Sequence, residues 1–269
     1  MDAELQILRR RRAFLIILVI FIAFCALAFL LLLPTFLLTS RENARRERCD
    51  YNLSAIYRAV TEYCDAYGTY PPAFVVDSKG EKLHSWRVLL LPYLHEEELY
   101  SQIRLDEPWD SEWNRQFWTK TPNVYRCASE PLDEGDSASQ SNRCSFSCVL
   151  GPNAVFPDDG STVKPDDVVD GLSSTIMLVE LKKPVNWMDP NSDLTIEQIL
   201  ADNAQPIKER ANFGSWHGKG EFVLFCDGNR KFLSDQIDNS VLSLLLGIDD
   251  SSFKLEEETT SKPETPSGE

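Results

Sequence analysis

The sequence predicts an α+β protein led by one long N-terminal helix, on three observations. Residues Ala13 to Leu38 carry no charged side chain. Beyond Ser40 the apolar residues Leu53, Ile56, Tyr57, Val60, Tyr63, Cys64 and Tyr67 recur at steps of three and four, which is one face of a helix. From residue 73 to residue 250 short apolar runs alternate with turn signals and no internal repeat is visible.

Residues 1–12 form a short basic segment ending in Arg9 to Arg12. Residues 13–38 then read as a transmembrane helix. At about 1.5 Å rise per residue, some twenty of them cross a hydrocarbon core of roughly 30 Å. A cleaved secretory signal is the rival, but its apolar part is shorter and ends in small residues, which Thr35 to Ser40 do not supply. Pro34 either bends this helix near its outer end or stops it. Orientation is a contest between Arg9 to Arg12 before the span and Arg41, Arg45, Arg46 and Arg48 after it. The first cluster is contiguous and the second is diluted by Glu42 and Glu47, so the N-terminus is expected inside. The single-pass chain then sits in the inner (cytoplasmic) membrane, with its folded domain extracytoplasmic.

Residues 39–67 continue outward as an amphipathic helix, stopped by Gly68 and Pro71-Pro72. Residues 68–248 make the α+β domain. Within it Trp86 to Leu94 is a short helix or a buried strand, and Thr175 to Val179 is a buried strand by its β-branched content. Glu221 to Cys226 and Asn229 to Leu233, joined by Asp227-Gly228, read as a hairpin with a tight primed turn. Ser240 to Leu246 is a last short helix, and residues 249–269 are an acidic disordered tail.

Composition excludes more than it names. With 269 residues, 43% hydrophobic and 26% charged, the chain is neither a disordered polymer nor a protein of many spans. Eight arginines against Asp2, Glu4, Glu42 and Glu47 give residues 1–48 a charge of +4, leaving −19 of the overall −15 for residues 49–269. Such a body is no partner for nucleic acid. It has no HExxH, GxSxG, P-loop or paired Cys-x-x-Cys, so no catalytic residues are assigned and no enzyme is expected.

Seven cysteines are present, one of them, Cys25, in the apolar span. Cys49 and Cys64 on one helix would lie about 22 Å apart and Cys144 and Cys148 on one strand about 13 Å apart, whereas a disulfide allows roughly 4.4–6.8 Å between Cα atoms. Any disulfide is therefore long-range. Cys49 with Cys127 is the favoured pair, and buried free thiols are the alternative. Apart from Cys144-x-x-x-Cys148, which lacks a second half, no local spacing suggests a zinc site, so no metal and no cofactor is assigned, save a weak candidacy of Asp158, Asp159, Asp166, Asp167 and Asp170 for calcium. Trp109, Trp113 and Trp118 with Phe117 would stack sugars if exposed, but core packing is the expectation. His217 with Asp227 has the make-up of a base and its orienting carboxylate, without a nucleophile beside it.

His217 followed after nine residues by Asp227-Gly228 resembles the signature of the prepilin-type processing-associated H-X9-DG family, domain of unknown function 1559. Similar motifs run in order through residues 45 to 235: Arg45-Arg46-x-x-Cys49-x-x-Asn52-Leu53, Gly68-x-Tyr70-Pro71-Pro72-Ala73, Ser85 to Leu94, Asp106 to Ser111, Tyr125-x-Cys127-x-Ser129, Gly151-Pro152 with Phe156-Pro157, Asp170-Gly171-x-Ser173 through Glu180, and Trp187-x-x-Pro190. The resemblance implies a pilin-like fold, a long helix first in lipid and then packed on an antiparallel sheet, and no known enzyme activity. It marks His217, Asp227, Gly228, Asp170, Gly171 and Glu180 as motif residues. It also implies a leader junction at Ala13-Phe14, where the pilin pattern of Gly before Phe, with Glu five residues on, is replaced by Ala13 and Leu18. Without that carboxylate the reason to assemble is lost.

The expected function is therefore a non-enzymatic, membrane-anchored, pilin-like protein with a structural or interaction domain at the cell envelope. Its partners would be the bilayer through residues 13–38 and other pilin-like or envelope proteins. The alternatives are a processed pseudopilin that assembles into a filament, and a tethered glycan- or calcium-binding module.

Overall fold

The structure, a computed structural model, describes residues 2–131, 142–206 and 209–250. The expected acidic tail lies, from residue 251 on, outside the described residues. Helix α1, Asp2–Tyr67, does not stop at Pro34. The chain divides into two compact units, Met1–Arg45 and Arg46–Glu269. In the first, the window beginning at Phe14 has a mean hydropathy of 3.4, enough to cross a membrane by length and composition, as a signal sequence near an N-terminus also can be. Most of its described side chains are exposed, including Phe14 and Leu18.

The second unit takes its core helix from the end of α1. Cys49, Leu53, Ile56 and Val60 are buried at steps of four, three and four, the spacing that brings side chains to one face. Tyr67 departs from the expected apolar face: it is 64% exposed and its ring lies tilted against that of Tyr63, centroids 4.4 Å apart. Gly68, at φ 76°, ends the helix in the left-handed region, its N–H donating to Cys64 O at 2.7 Å.

Strands β1, Phe74–Val76, and β2, Lys82–Ser85, pair antiparallel. The segment Trp86 to Leu94 resolves as helix α2, Trp86–Leu89, followed by a 3-10 turn, Leu91–Leu94. Ser85 starts it by accepting from the Arg87 N–H, and Pro92 sits near the start of the next turn, where its missing N–H costs nothing. Helix α3, Glu97–Gln102, completes this region.

The main sheet is built from β3 (Arg143–Leu150), β4 (Ile176–Asn186), β5 (Leu194–Thr195), β6 (Gly220–Phe225) and β7 (Arg230–Ser234) in the order β5-β3-β4-β6-β7. Four strands are antiparallel as expected, while the two-residue β5 runs parallel to β3, so the sheet is mixed. Its two faces serve two cores. Leu178, Phe222 and Leu224 join the core that contains Leu53, Ile56 and Val60 of α1. Val179, Leu181, Val223 and Phe225 join a second core with Ile199 of α4 (Ile196–Asn203) and Leu242 and Leu246 of α5 (Asn239–Leu246). The period of two along a strand thus assigns Glu180, between Val179 and Leu181, to the α1 side. Each fully buried aliphatic side chain contributes about 1.5–3 kcal/mol to holding these layers. Both terminal helices are capped, α4 by a Thr195–Gln198 capping box and α5 by Asp238 accepting from the Ser240 N–H.

The β6–β7 hairpin forms, but its turn is not the primed type. Asp227 keeps a negative φ and Gly228 alone is left-handed, at 85°. The Gly228 N–H donates to Phe225 O at 3.0 Å and the Phe225 N–H to Asn229 O at 2.9 Å, a three-residue loop closed by a glycine bulge. A Cβ on Gly228 would also overlap the Tyr57 ring, so this glycine is required twice over.

Candidate functional site

Four segments converge on one buried cluster. Helix α1 supplies Cys49. The chain leaving the 3-10 turn Asn123–Tyr125 supplies Cys127, and it is held there from both sides. Asn52 donates to Arg126 O at 2.8 Å, and the Cys127 N–H donates to Ser145 Oγ at 2.9 Å. Strand β4 supplies Glu180, and the loop before β6 supplies His217. That loop is coiled by Gly218 and Lys219, both at positive φ. Ser215 Oγ accepts from the His217 N–H at 3.1 Å and donates to Gly220 O at 2.6 Å. Arg46 of α1 closes it by donating to His217 O at 3.0 Å and Gly218 O at 3.3 Å.

Inside the cluster Cys49 Sγ and Cys127 Sγ are 3.0 Å apart, with both thiols free. Cys127 Sγ lies 3.3 Å from His217 Nε2, and the same nitrogen lies 3.5 Å from Glu180 Oε1. One ligand atom from each of the four residues falls within 4.8 Å of every other, and all four side chains are buried. The surroundings orient them. Ser129 Oγ contacts His217 Nδ1 at 3.1 Å, the Ala128 N–H donates to Cys49 Sγ at 3.3 Å, and the Phe222 N–H donates to Glu180 Oε2 at 2.7 Å. The imidazole stands edge-on to Phe222, ring centroids 5.5 Å apart. Glu180 Oε1 is buried without a hydrogen-bond donor.

The two thiols behave as a pair. A hydrogen bond from Cys127 favours the Cys49 thiolate and, against the cost of burial, lowers Cys49 to about 6 with help from His217. That same hydrogen bond, with burial second, pushes the Cys127 thiol far up. The hydrogen bond between them thus favours the thiolate at Cys49 over one at Cys127.

The other residues singled out in the sequence lie elsewhere. The carboxylate beside His217 is Glu180, and Asp227 is not its partner. Asp227 instead accepts from the Asn229 N–H at 2.9 Å and from Asn229 Nδ2 at 2.6 Å in the hairpin turn. The physical reason is that the nine residues between His217 and Asp227 contain strand β6, whose six residues at about 3.3 Å each hold the two ends roughly 20 Å apart. Asp170 and Gly171 shape the loop into β4, the Asp170 N–H donating to Ile248 O at 3.1 Å and Gly171 O accepting from the Ser174 N–H at 3.0 Å.

Among the described residues Asp158 to Asp170 do not gather around a point. Asp159 accepts from the Ser161 N–H and Asp167 from the Lys164 N–H, each within its own loop. Phe117 is buried and Trp109 stacks on Trp118 at 5.0 Å, whereas Trp113 is 41% exposed beneath Arg104, whose guanidinium is 4.1 Å from the ring centroid.

Comparison with known proteins bears on three of the four cluster residues. Residues 39–203 match the profile of SBP_bac_10, described as "Protein of unknown function (DUF1559)". The chain belongs to the DUF1559 family. The motif-based resemblance is thereby confirmed over a stretch that contains Cys49, Cys127 and Glu180 and ends before His217. No curated protein and no solved structure matches the chain. Cys49, Cys127, Glu180 and His217 had each been marked by a DUF1559 motif, but only tertiary closure shows them as one group. Their sequence separations, 78 residues from Cys49 to Cys127 and 90 from Cys127 to His217, leave no local spacing to read.

Proposed function

We propose that this DUF1559 protein is a non-enzymatic, single-pass membrane protein, N-terminus inside, whose extracytoplasmic α+β domain serves a structural or interaction role at the cell envelope. The observation that carries this reading is that one helix, Asp2–Tyr67, contains both a charge-free apolar stretch and the residues Cys49 to Val60 that enter a domain core. A cleavable signal has no such second duty, since removing it would be indifferent to the fold. The acidic body suits an aqueous compartment and keeps the domain off anionic headgroups. Leu18, in the place where a pilin carries its assembly carboxylate, supports a permanent anchor over a filament subunit.

The test is intact mass and N-terminal sequencing of the protein extracted from its native membrane, preceded by protease treatment of intact spheroplasts. A chain that retains residues 1–12 and whose body is digested from outside supports the proposal. A start at Phe14 would replace it with a processed pseudopilin, and a body protected from protease would place the domain in the cytoplasm.

A further inference from the structure

We propose that Cys49, Cys127, His217 and Glu180 form a closed, four-ligand structural site for a zinc-class divalent ion. This inference does not depend on whether the chain crosses a membrane. Tetrahedral zinc has bonds of about 2.3 Å to sulfur and about 2.0–2.2 Å to nitrogen or oxygen, which sets its ligand atoms roughly 3.3–3.8 Å apart. Cys127 Sγ to His217 Nε2 at 3.3 Å and His217 Nε2 to Glu180 Oε1 at 3.5 Å have that spacing. The two sulfurs, at 3.0 Å, need to part by less than about 1 Å to reach it.

Three further features favour an ion. Two sulfurs, an imidazole and a carboxylate are a borderline-soft donor set, which suits zinc and its neighbours and not the hard, oxygen-seeking calcium or magnesium. Three of the four ligands are also held by a second contact: Ser129 on the far imidazole nitrogen, the Phe222 N–H on Glu180 and the Ala128 N–H on Cys49. Finally, among the described residues Glu180 Oε1 is a buried acceptor with no hydrogen-bond donor, 3.5 Å from His217 Nε2, which a cation would satisfy. A disulfide between Cys49 and Cys127 would use the same sulfurs but leave that carboxylate oxygen as it is.

Because all four positions come from the protein and all are buried, the ion has no open site for substrate and its role is to staple. It would tie α1 to the Cys127 segment, β4 and the His217 loop, closing long loops at once, with the thiol protons released to solvent on binding.

The experiment uses the full-length chain in detergent with thiols kept reduced, supplied with zinc and passed through a desalting column. Metal content is read by plasma mass spectrometry, and Co(II) replaces zinc for optical spectra. The expected result is about one ion per chain, a thiolate-to-cobalt absorption in the near ultraviolet, and at least about tenfold loss of ion in Cys127→Ser. His217→Cys keeps the ion while strengthening that absorption, which separates ligation from folding if Cys127→Ser does not fold. Substoichiometric zinc in the reduced wild type, an unchanged ion content in Cys127→Ser, or His217→Cys bound to cobalt with an unaltered spectrum would each overturn the proposal. So would a metal-free native protein in which mass spectrometry finds Cys49 and Cys127 joined.

Discussion

Two buried polar knots sit in this domain, and they are built on opposite terms. Around Arg87 every charge is answered. Its guanidinium meets the Asp193 carboxylate twice, Nη2 to Oδ1 at 2.6 Å and Nη1 to Oδ2 at 3.1 Å, and donates its remaining hydrogens to Phe146 O, Ser85 Oγ and Cys144 Sγ. Asp193 also accepts from Trp86 Nε1, Ser147 Oγ and the Cys148 N–H. Around Cys49 the carboxylate faces an imidazole instead of a guanidinium, His217 Nε2 lying 3.5 Å from Glu180 Oε1, and among the described residues that oxygen accepts no hydrogen bond. A third group is intermediate in character: Arg210 Nη1 and Glu221 Oε2 are 3.5 Å apart, while Glu221 Oε1 is without a donor among the described residues. A knot with every partner inside the chain is complete as architecture, whereas at Glu180 one carboxylate oxygen is left over among the described residues, where an ion is proposed to bind.

The largest effect expected from this contrast is at Asp193. Asp193→Asn keeps the shape and removes the charge, leaving Arg87 buried without a counter-ion, and should cost about 3–5 kcal/mol of stability. Chemical denaturation of the full chain in detergent measures it. A loss below about 1 kcal/mol would mean that water or relaxation screens Arg87 and that the two knots do not differ as described. The next effect is at the turn. Gly228→Ala imposes a left-handed residue and an overlap with Tyr57, for a cost of about 2 kcal/mol or more. Since Tyr57 is on the same helix as Cys49, adding Tyr57→Ala should return part of that loss only if the overlap is real.

What could be read in advance follows from whether the physics was local. The charge-free run and the three-four steps from Leu53 to Tyr63 are local, and α1 follows them. Asp227-Gly228 announced the hairpin because only glycine tolerates the φ of 85°, although the turn took a three-residue form that the dipeptide alone does not specify. Trp86 to Leu94 stayed ambiguous because its apolar run fits either structure, and the Ser85 cap settled it. Strand β6 is buried on both faces, so its sequence shows no alternation from which to assign a core. For the site, the sequence paired Cys49 with Cys127, whose sulfurs lie 3.0 Å apart, and marked Glu180 and His217 by motif position without joining them to that pair. Pairing His217 with Asp227 failed because a strand, not a turn, separates them.

The intermediate pair predicts a pH effect. Burial raises Glu221 from its ordinary 4.5 to about 7, outweighing the pull of Arg210. The folded state therefore holds a proton that the unfolded chain releases near pH 4.5, and the unfolded state binds fewer protons across that interval. Stability contributed by this group falls as pH rises from about 4.5 to about 7. Glu221→Gln, which cannot titrate, should flatten that slope in a melting-temperature series. An equally steep slope in the variant would assign it to other groups.

The smallest expected change sharpens the contrast most. Glu180→Gln retains an oxygen for the Phe222 N–H and removes the charge of a buried carboxylate whose Oε1 accepts no hydrogen bond among the described residues. In protein stripped of metal it should alter stability by less than about 1 kcal/mol, and in the stabilising direction, because the charge is costly and its neutral replacement is not. Asp193→Asn makes the same chemical exchange with the opposite sign and several times the size, since there the charge is needed by Arg87. Should Glu180→Gln destabilise the stripped protein as much as Asp193→Asn does, the carboxylate at 180 has a partner within the chain, and the two knots are built alike.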